Sequence, residues 1–231
     1  TANDNNSDKP FMLCEYEHAM GNSVGEINEY VDAFYSNPRV FGGFIWDFID
    51  QGLRREGTKY FNYGGLWGDN PNDDNFCANG LVFPDRTVQP ELYEVKYAYR
   101  DIVVKAINAV EGAVSIESRF YNINLNDIVE GVWSVKEDGV EITTGVLNSQ
   151  LTDVGPESKK DIVVPFKKPE TLKPGSSYQL DIDFRLKKDM AWAKAGHSVS
   201  HEQFRLNLGE GNAPKINVAS LPKQTATEGN G

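Results

Sequence analysis

Cationic side chains are in short supply. Lys and Arg number 23 against 34 Asp and Glu, a formal net charge of −11 in 231 residues. That balance disfavours nucleic acid and anionic membrane surfaces as partners. It leaves a neutral sugar open, because a sugar is recognised through hydrogen bonds and aromatic faces. No apolar stretch approaches membrane-spanning length, and the first residues lack the basic-plus-apolar pattern of a signal segment. Thr1 to Asp8 reads as a polar leader or an internal cut. Cysteine is scarcer still: the two, Cys14 and Cys77, form no CxxC pair and point to no metal site. Buried free thiols are expected rather than a disulfide. His197 and His201 stand four apart, but the region reads as strand and has no intervening Glu of the zinc-protease kind, so they are expected to be structural. The acidic stretch Asp69 to Asn75 has Pro71 at a would-be ligand position and no glycine at its sixth place. The EF-hand pattern therefore fails, leaving a solvated turn.

What the chain does have is aromatic material, 11% of its residues, and enough length for a sizeable core in one or two domains. Phe11 to Cys14 is a short apolar run after a proline, better suited to a buried parallel strand than to a helix. Ser23 with Glu26 three residues on has the form of a capping box. Val24, Ile27, Tyr30, Val31 and Phe34 then recur at helical spacing, and Asn37-Pro38 ends the helix. Gly42-Gly43 leads into a second strand at Phe44-Ile45-Trp46, giving a strand–helix–strand unit. Residues 52 to 88, rich in Gly, Asn, Asp and Pro, read as a long loop, and loops of that length in compact domains are usually functional or disordered. Pro90 suits the first turn of a helix carrying Leu92, Val95 and Tyr99.

Near Asp101 the texture changes to period-two alternation. Val114 to Phe120, Val132 to Lys136, Val140 to Val146, Ile162 to Phe166, Tyr178 to Leu186 and His201 to Leu208 read as strands. Asp138-Gly139 marks a hairpin between two of them. About seven short strands over some hundred residues predict an immunoglobulin-like sandwich. The expected division is residues 1–100 as an α/β part, 101–208 as the sandwich, and 209–231 as a linker or tail.

Functional groups of α/β folds gather at the carboxyl ends of parallel strands. Glu15 stands there, followed by Tyr16, His18 and a Gly-containing turn, so it is a candidate nucleophile or general base. The run Lys9 to Ser23, containing Cys14-Glu15-Tyr16 and His18-Ala19-Met20-Gly21-Asn22, resembles the nucleophile region of glycoside hydrolase family 2, in particular its long bacterial β-galactosidases. Gly42 to Gln51 is similar to the last barrel strand of that family. Tyr63-Gly64-Gly65, Gly68-Asp69, Pro71-Asn72-Asp73 and Phe76-Cys77-Ala78-Asn79-Gly80-Leu81-Val82-Phe83 resemble its following active-site loop. Ala191 to His197 resembles a run in its next β-sandwich domain. The motifs keep the family's order and cover roughly residues 9 to 208.

The resemblance implies a fold class: the incomplete C-terminal part of a (β/α)8 barrel followed by an immunoglobulin-like β-sandwich. A whole barrel takes about 250 residues, more than the α/β part offers. It also implies a chemistry, retaining hydrolysis of terminal β-galactosides. That reaction needs two carboxyl groups about 5 to 5.5 Å apart. Glu15 matches the nucleophile. The family's acid/base Glu belongs to an earlier barrel strand, so this chain is expected to carry half of the pair and to be largely inactive alone. Asp47 and Asp50 match structural positions. His18 matches the histidine that contacts galactose hydroxyls, and Trp46 a tryptophan shaping the pocket at the 6-hydroxymethyl end. Phe76, through its carbonyl, and Asn79, through its side-chain oxygen, match ligands of a sodium ion. Magnesium is implied for the parent enzyme, with ligands mostly outside this chain; Asn72 matches a position near it. Glu17 stands where the family commonly has a small residue. The Cys14-Glu15-Tyr16 and Phe76-to-Gly80 contexts favour galactose over glucuronide or mannoside, and the parent is expected to be a homo-oligomer. A different class of function, a non-catalytic sandwich that binds carbohydrate or supports an oligomer, would account for residues 101–208 alone.

Overall fold

A computed structural model describes residues 8–209 and 217–223. The chain divides into two compact units, Thr1–Arg100 and Asp101–Gly231.

In the first unit the strand β1 (Phe11–Tyr16) leads through the helix α1 (Ile27–Ser36) to a parallel partner, β2 (Val40–Ile45). Two short strands, β3 (Leu53–Arg54) and β4 (Phe61–Asn62), form a small antiparallel pair in the loop that follows. The helix α2 (Pro90–Ala98) closes the unit with its proline in the first turn, where the missing N–H costs no hydrogen bond. Tyr16, Ala19, Val24, Ile27, Val31, Leu81, Val95 and Ala98 make its core.

The helix starts later than the capping pattern predicts. Val24 and Glu26 both have left-handed backbone, φ 57° and 50°, and Glu26 occupies the N-cap without a side-chain bond. The Ser23 hydroxyl is buried without a hydrogen-bond partner. The apolar spacing belongs to the core rather than to one continuous helix: Val24 is taken inward by the turn, and only from Ile27 does the helical ladder begin. Both glycines before Phe44 lie inside β2 rather than ahead of it.

In the second unit come β5 (Ile102–Asn108), β6 (Ala113–Ser118), a single helical turn α3 (Leu125–Ile128), β7 (Val129–Glu137), β8 (Val140–Val146), β9 (Lys159–Val163), β10 (Tyr178–Leu186) and β11 (Ser198–Arg205). They form two antiparallel sheets, of order β5-β6-β9 and β11-β10-β7-β8. β10 shows why the pattern works. Tyr178, Leu180, Ile182, Phe184 and Leu186 are all buried, while the residues between them are not. Its register with β7 runs unbroken from Tyr178–Glu137 to Leu186–Val129. Side chains from both sheets, among them Ile102, Ile116, Val135 and Phe184, share one core. The β7–β8 turn uses Asp138 and Gly139 with φ 50° and 82°, the two left-handed residues that a type I′ hairpin requires. β5 is the strand the alternation did not reveal, because Ile102, Val103 and Val104 are buried in succession.

The tail expected over 209–231 lies largely outside the described residues; within it Val218–Ser220 forms one 3-10 turn. The leader, apart from Asp8, also lies outside them. Among the described residues no helix is long and apolar enough to cross a membrane.

Candidate active site

Glu15 owes its position to an irregularity in β1. Leu13 pairs with Gly43 and Tyr16 with Ile45, so three steps on β1 face two on β2. Without that extra residue, Glu15 would share a face with Leu13 and point toward the core. With it, Tyr16 turns inward to 6% exposure while Cys14 and Glu15 both lie exposed. Bulges next to active sites re-aim side chains in this way. Gly43 permits it: a Cβ there would come within 2.9 Å of both Leu13 Cβ and Tyr16 Cδ1.

Tyr16 anchors the strand end. Its ring lies 5.2 Å from that of Tyr30 and 5.5 Å from that of Phe34, and its hydroxyl is bonded to the Tyr99 hydroxyl. Burial above all, and then that bond, push the Tyr16 phenol well above its ordinary range. The ring therefore stays a neutral strut.

The backbone then stitches the other candidate residues to this strand end. Trp46 N–H donates to the Tyr16 carbonyl at 3.2 Å, and Ala19 N–H donates to the Trp46 carbonyl at 2.6 Å. Asp47 N–H donates to the Asn79 carbonyl at 2.5 Å, and the Asn79 amide Nδ2 donates to the Phe76 carbonyl at 3.0 Å. The Phe76 ring closes the circuit by stacking on the His18 imidazole, centroids 5.4 Å apart and planes 24° from parallel. His18, Trp46, Phe76 and Asn79 thus belong to one continuous constellation around the end of β1. Trp46 and Phe76 are exposed, 41% and 57%, whereas Asn79 is buried at 2%. The Trp46–Asp47 peptide is cis.

Residues 47–51 and 77–82 are laced together. Leu81 N–H meets the Asp47 carbonyl, Val82 N–H that of Phe48, and Asp50 N–H that of Val82. Asp50, buried to 9% exposure, takes Gly80 N–H on one oxygen at 2.7 Å and Gln89 Nε2 on the other at 3.2 Å. Gly80 is needed for so close an approach, since a Cβ there would fall 2.1 Å from the Asp50 nitrogen. Asp47 is bound to the Gln51 amide at 3.0 Å. Both carboxylates are occupied as structural pins. Asp50 is expected in a structural position; the roles of Gly80, Gln89 and Tyr99 are not legible in the sequence, because they depend on pairings between distant segments.

Asp69 explains the acidic loop. Its carboxylate accepts the Gly65 N–H at 3.0 Å and the Trp67 N–H at 3.3 Å, and these donors, Gly65 first, hold it below the usual carboxylate range. Asn72 donates to the Asp69 carbonyl at 2.9 Å. The loop caps itself. Among the described residues no group of three or more His, Cys, Asp and Glu could hold a metal ion. The sodium expectation concerns other donors, a carbonyl and an amide oxygen; the Asn79 side chain reaches the Phe76 carbonyl, while its oxygen accepts from Gln51 Nε2 at 3.5 Å. As the amide stands, its nitrogen faces that carbonyl; holding a cation requires its oxygen to take that place. His197 lies edge-on to Trp192 at 5.6 Å and precedes β11 rather than sitting on a helix. Both thiols are free. They are less buried than expected, Cys14 exposed and Cys77 half-buried; Cys14 alternates with the inward Leu13 and so lies on the outer face of β1.

Residues 1–104 match the family described as Glycosyl hydrolases family 2, TIM barrel domain, and residues 114–207 match Beta-galactosidase, domain 4. The chain belongs to glycoside hydrolase family 2. A Beta-galactosidase of Photobacterium profundum is 41% identical over 223 residues, which are 94% of this chain and 21% of that protein. One of Priestia megaterium is 39% identical over 204 residues, 87% of this chain and 19% of its own length. One of Vibrio vulnificus is 40% identical over 225 residues, 95% and 21%. This family 2 chain therefore spans about a fifth of the length of the curated relatives it matches. Its first unit corresponds to part of the family's barrel domain, and the second unit's two sheets hold nearly all of the domain 4 match.

Proposed function

We propose that this chain is the nucleophile-bearing part of a retaining β-galactosidase. The observation that carries this reading is the convergence of His18, Trp46, Phe76 and Asn79 on the strand end that presents Glu15. In the first step a Glu15 carboxylate oxygen attacks the anomeric carbon. The bond from that carbon to the leaving oxygen breaks, and a carboxylic acid protonates the departing group. Water then displaces the galactosyl ester, giving up a proton to the same acid's conjugate base and restoring the Glu15 carboxylate. The His18 imidazole would hold galactose hydroxyls, its ring fixed by the Phe76 stack. Trp46 would wall the sugar's 6-hydroxymethyl end. The Phe76 carbonyl and the Asn79 amide oxygen would hold sodium, which when bound supplies a positive charge for a sugar oxygen. Magnesium would belong to the parent enzyme with ligands mostly elsewhere, and that parent would be a homo-oligomer.

The acid is not proposed from this chain, because Asp47 and Asp50 are committed to amide and backbone partners. The second unit, with seven strands in sheets of three and four, is read as an immunoglobulin-like sandwich. Its role is support rather than chemistry.

The test compares this chain and a longer protein containing it on an activated aryl β-galactoside, each with and without Glu15→Gln. The chain alone is expected to show little or no turnover in either form. In the longer protein Glu15→Gln is expected to lower kcat by at least about 1,000-fold, the scale set by losing a covalent nucleophile. Robust hydrolysis by the chain alone, abolished by Glu15→Gln, would mean that another carboxyl group here completes the pair. Sugar binding that persists in residues 101–209 alone would instead favour the non-catalytic sandwich.

A further inference from the structure

The turn that presents Phe76 to His18 has a second side. The 3-10 turn Asp74–Cys77 places Phe76 against the imidazole, while the next residue, Cys77, lines a cavity of about 390 Å³. Its walls include Tyr60, Tyr63 and Phe83, and Asn62 and Asp85 also line it. The volume lies within the range of small-ligand sites, and so does the composition, apolar walls with a few polar groups.

We propose that this cavity binds a neutral pyranose, as a site additional to the one at Glu15. The occupant follows from the lining. A pyranose offers C–H faces to aromatic rings and a rim of hydroxyls to polar groups. Tyr60, Tyr63 and Phe83 supply the rings. The Asn62 amide, the two phenol hydroxyls and the Asp85 carboxylate supply donors and acceptors together. A purely apolar ring of the same size would desolvate the exposed Asp85 carboxylate without replacing its hydrogen bonds to water, which is costly. Tyr60 is further steadied by the Lys59 ammonium, 5.7 Å from its ring centre. The inference does not need Glu15 to be catalytic, since none of Glu15, His18, Trp46, Phe76 and Asn79 lines the cavity, whose carboxylates are Asp50 and Asp85.

Cys77 makes the site readable. The chain has only two cysteines, so in a Cys14→Ser background Cys77 is the single thiol. Its alkylation by iodoacetamide is measured with increasing methyl β-D-galactopyranoside, then methyl β-D-glucopyranoside. Only the unliganded protein reacts freely, so a sugar at ten times its Kd slows the reaction roughly tenfold. Tyr63→Leu, at a position 39% exposed, keeps apolar bulk but removes ring and hydroxyl, and is expected to abolish protection while far-UV circular dichroism is unchanged. His18→Ala is expected to leave protection intact. Two results overturn the proposal. One is an alkylation rate that neither sugar slows at any soluble concentration. The other is protection that survives Tyr63→Leu and disappears with His18→Ala, which places the sugar at the Glu15 site and makes Cys77 a bystander.

Discussion

Glu17, two residues beyond the proposed nucleophile, has left-handed backbone with φ 47°. Non-glycine residues in that region carry strain of about 1 to 3 kcal/mol. Burial first, and then the charge of Glu26, raise its carboxyl above the usual range. The folded chain therefore keeps the Glu17 proton to higher pH than the unfolded chain does. The stability tied to that proton is fully present below the unfolded value, about 4.3, and is lost as pH rises through the folded one. Glu17→Gln is expected to remove this slope. The variant should match the parent below about pH 4 and exceed it at neutral pH by roughly 0.5 kcal/mol or less, given solvent screening. Urea midpoints followed from pH 3.5 to 7.5 check it; a steeper fall with pH in the variant would reverse the sign. Glu15, His18, Trp46, Phe76 and Asn79 could be named from motifs because each motif is local. What stayed hidden was how Glu15 escapes the core, since one extra residue in β1 is defined only against β2.

Among elements, legibility follows sequence separation. β10 and the β7–β8 hairpin could be read directly, because alternation and a two-residue turn are local signals. β5 escapes the pattern because three consecutive buried residues break the alternation, and α1 begins later than the spacing predicts because Ser23 and Glu26 mimic a cap that the left-handed backbone at Glu26 prevents. The lacing of 47–51 to 77–82 was invisible for a different reason: both segments lie in what reads as loop, and their pairing spans some thirty residues. Asp50 is its pin. Asp50→Ala is expected to leave the buried Gly80 N–H without its carboxylate partner, costing about 1 to 3 kcal/mol, while the Gln89 amide keeps the Gly80 carbonyl at 2.8 Å. Because Asn79 precedes Gly80, the Asn79–Phe76 bond and the His18–Phe76 stack should loosen with it. Hydrogen exchange on Gly80, Leu81 and Val82 is the direct measurement. Exchange there no faster than in the parent would show that the backbone bonds alone hold the lacing.

For the whole molecule, the two units differ in how much apolar material each has gathered. Among the described residues the first unit's core contains eight buried side chains and the second's nineteen. The first unit also leaves Met12, Phe41, Phe44, Phe48 and Trp67 more than half exposed. Apolar area removed from water is the main favourable term in folding, at roughly 25 cal/mol per Å². The two units should therefore unfold in separate steps, the first at lower denaturant, and a single free energy of unfolding is not defined for such a chain. The tryptophans allow the steps to be told apart, with Trp46 and Trp67 in the first unit and Trp133 and Trp192 in the second. Fluorescence of variants keeping one pair or the other is expected to give non-coincident urea transitions. The Trp133 signal should persist longest, because that ring is 6% exposed inside the shared core of both sheets. Residues 101–209 produced alone should reproduce the later transition within about 0.5 kcal/mol. One coincident transition for all four tryptophans would mean that the barrel part draws its stability from the sandwich. The proposed nucleophile would then depend on domain 4 for its fold, and Glu15 chemistry would be lost wherever the sandwich is destabilised.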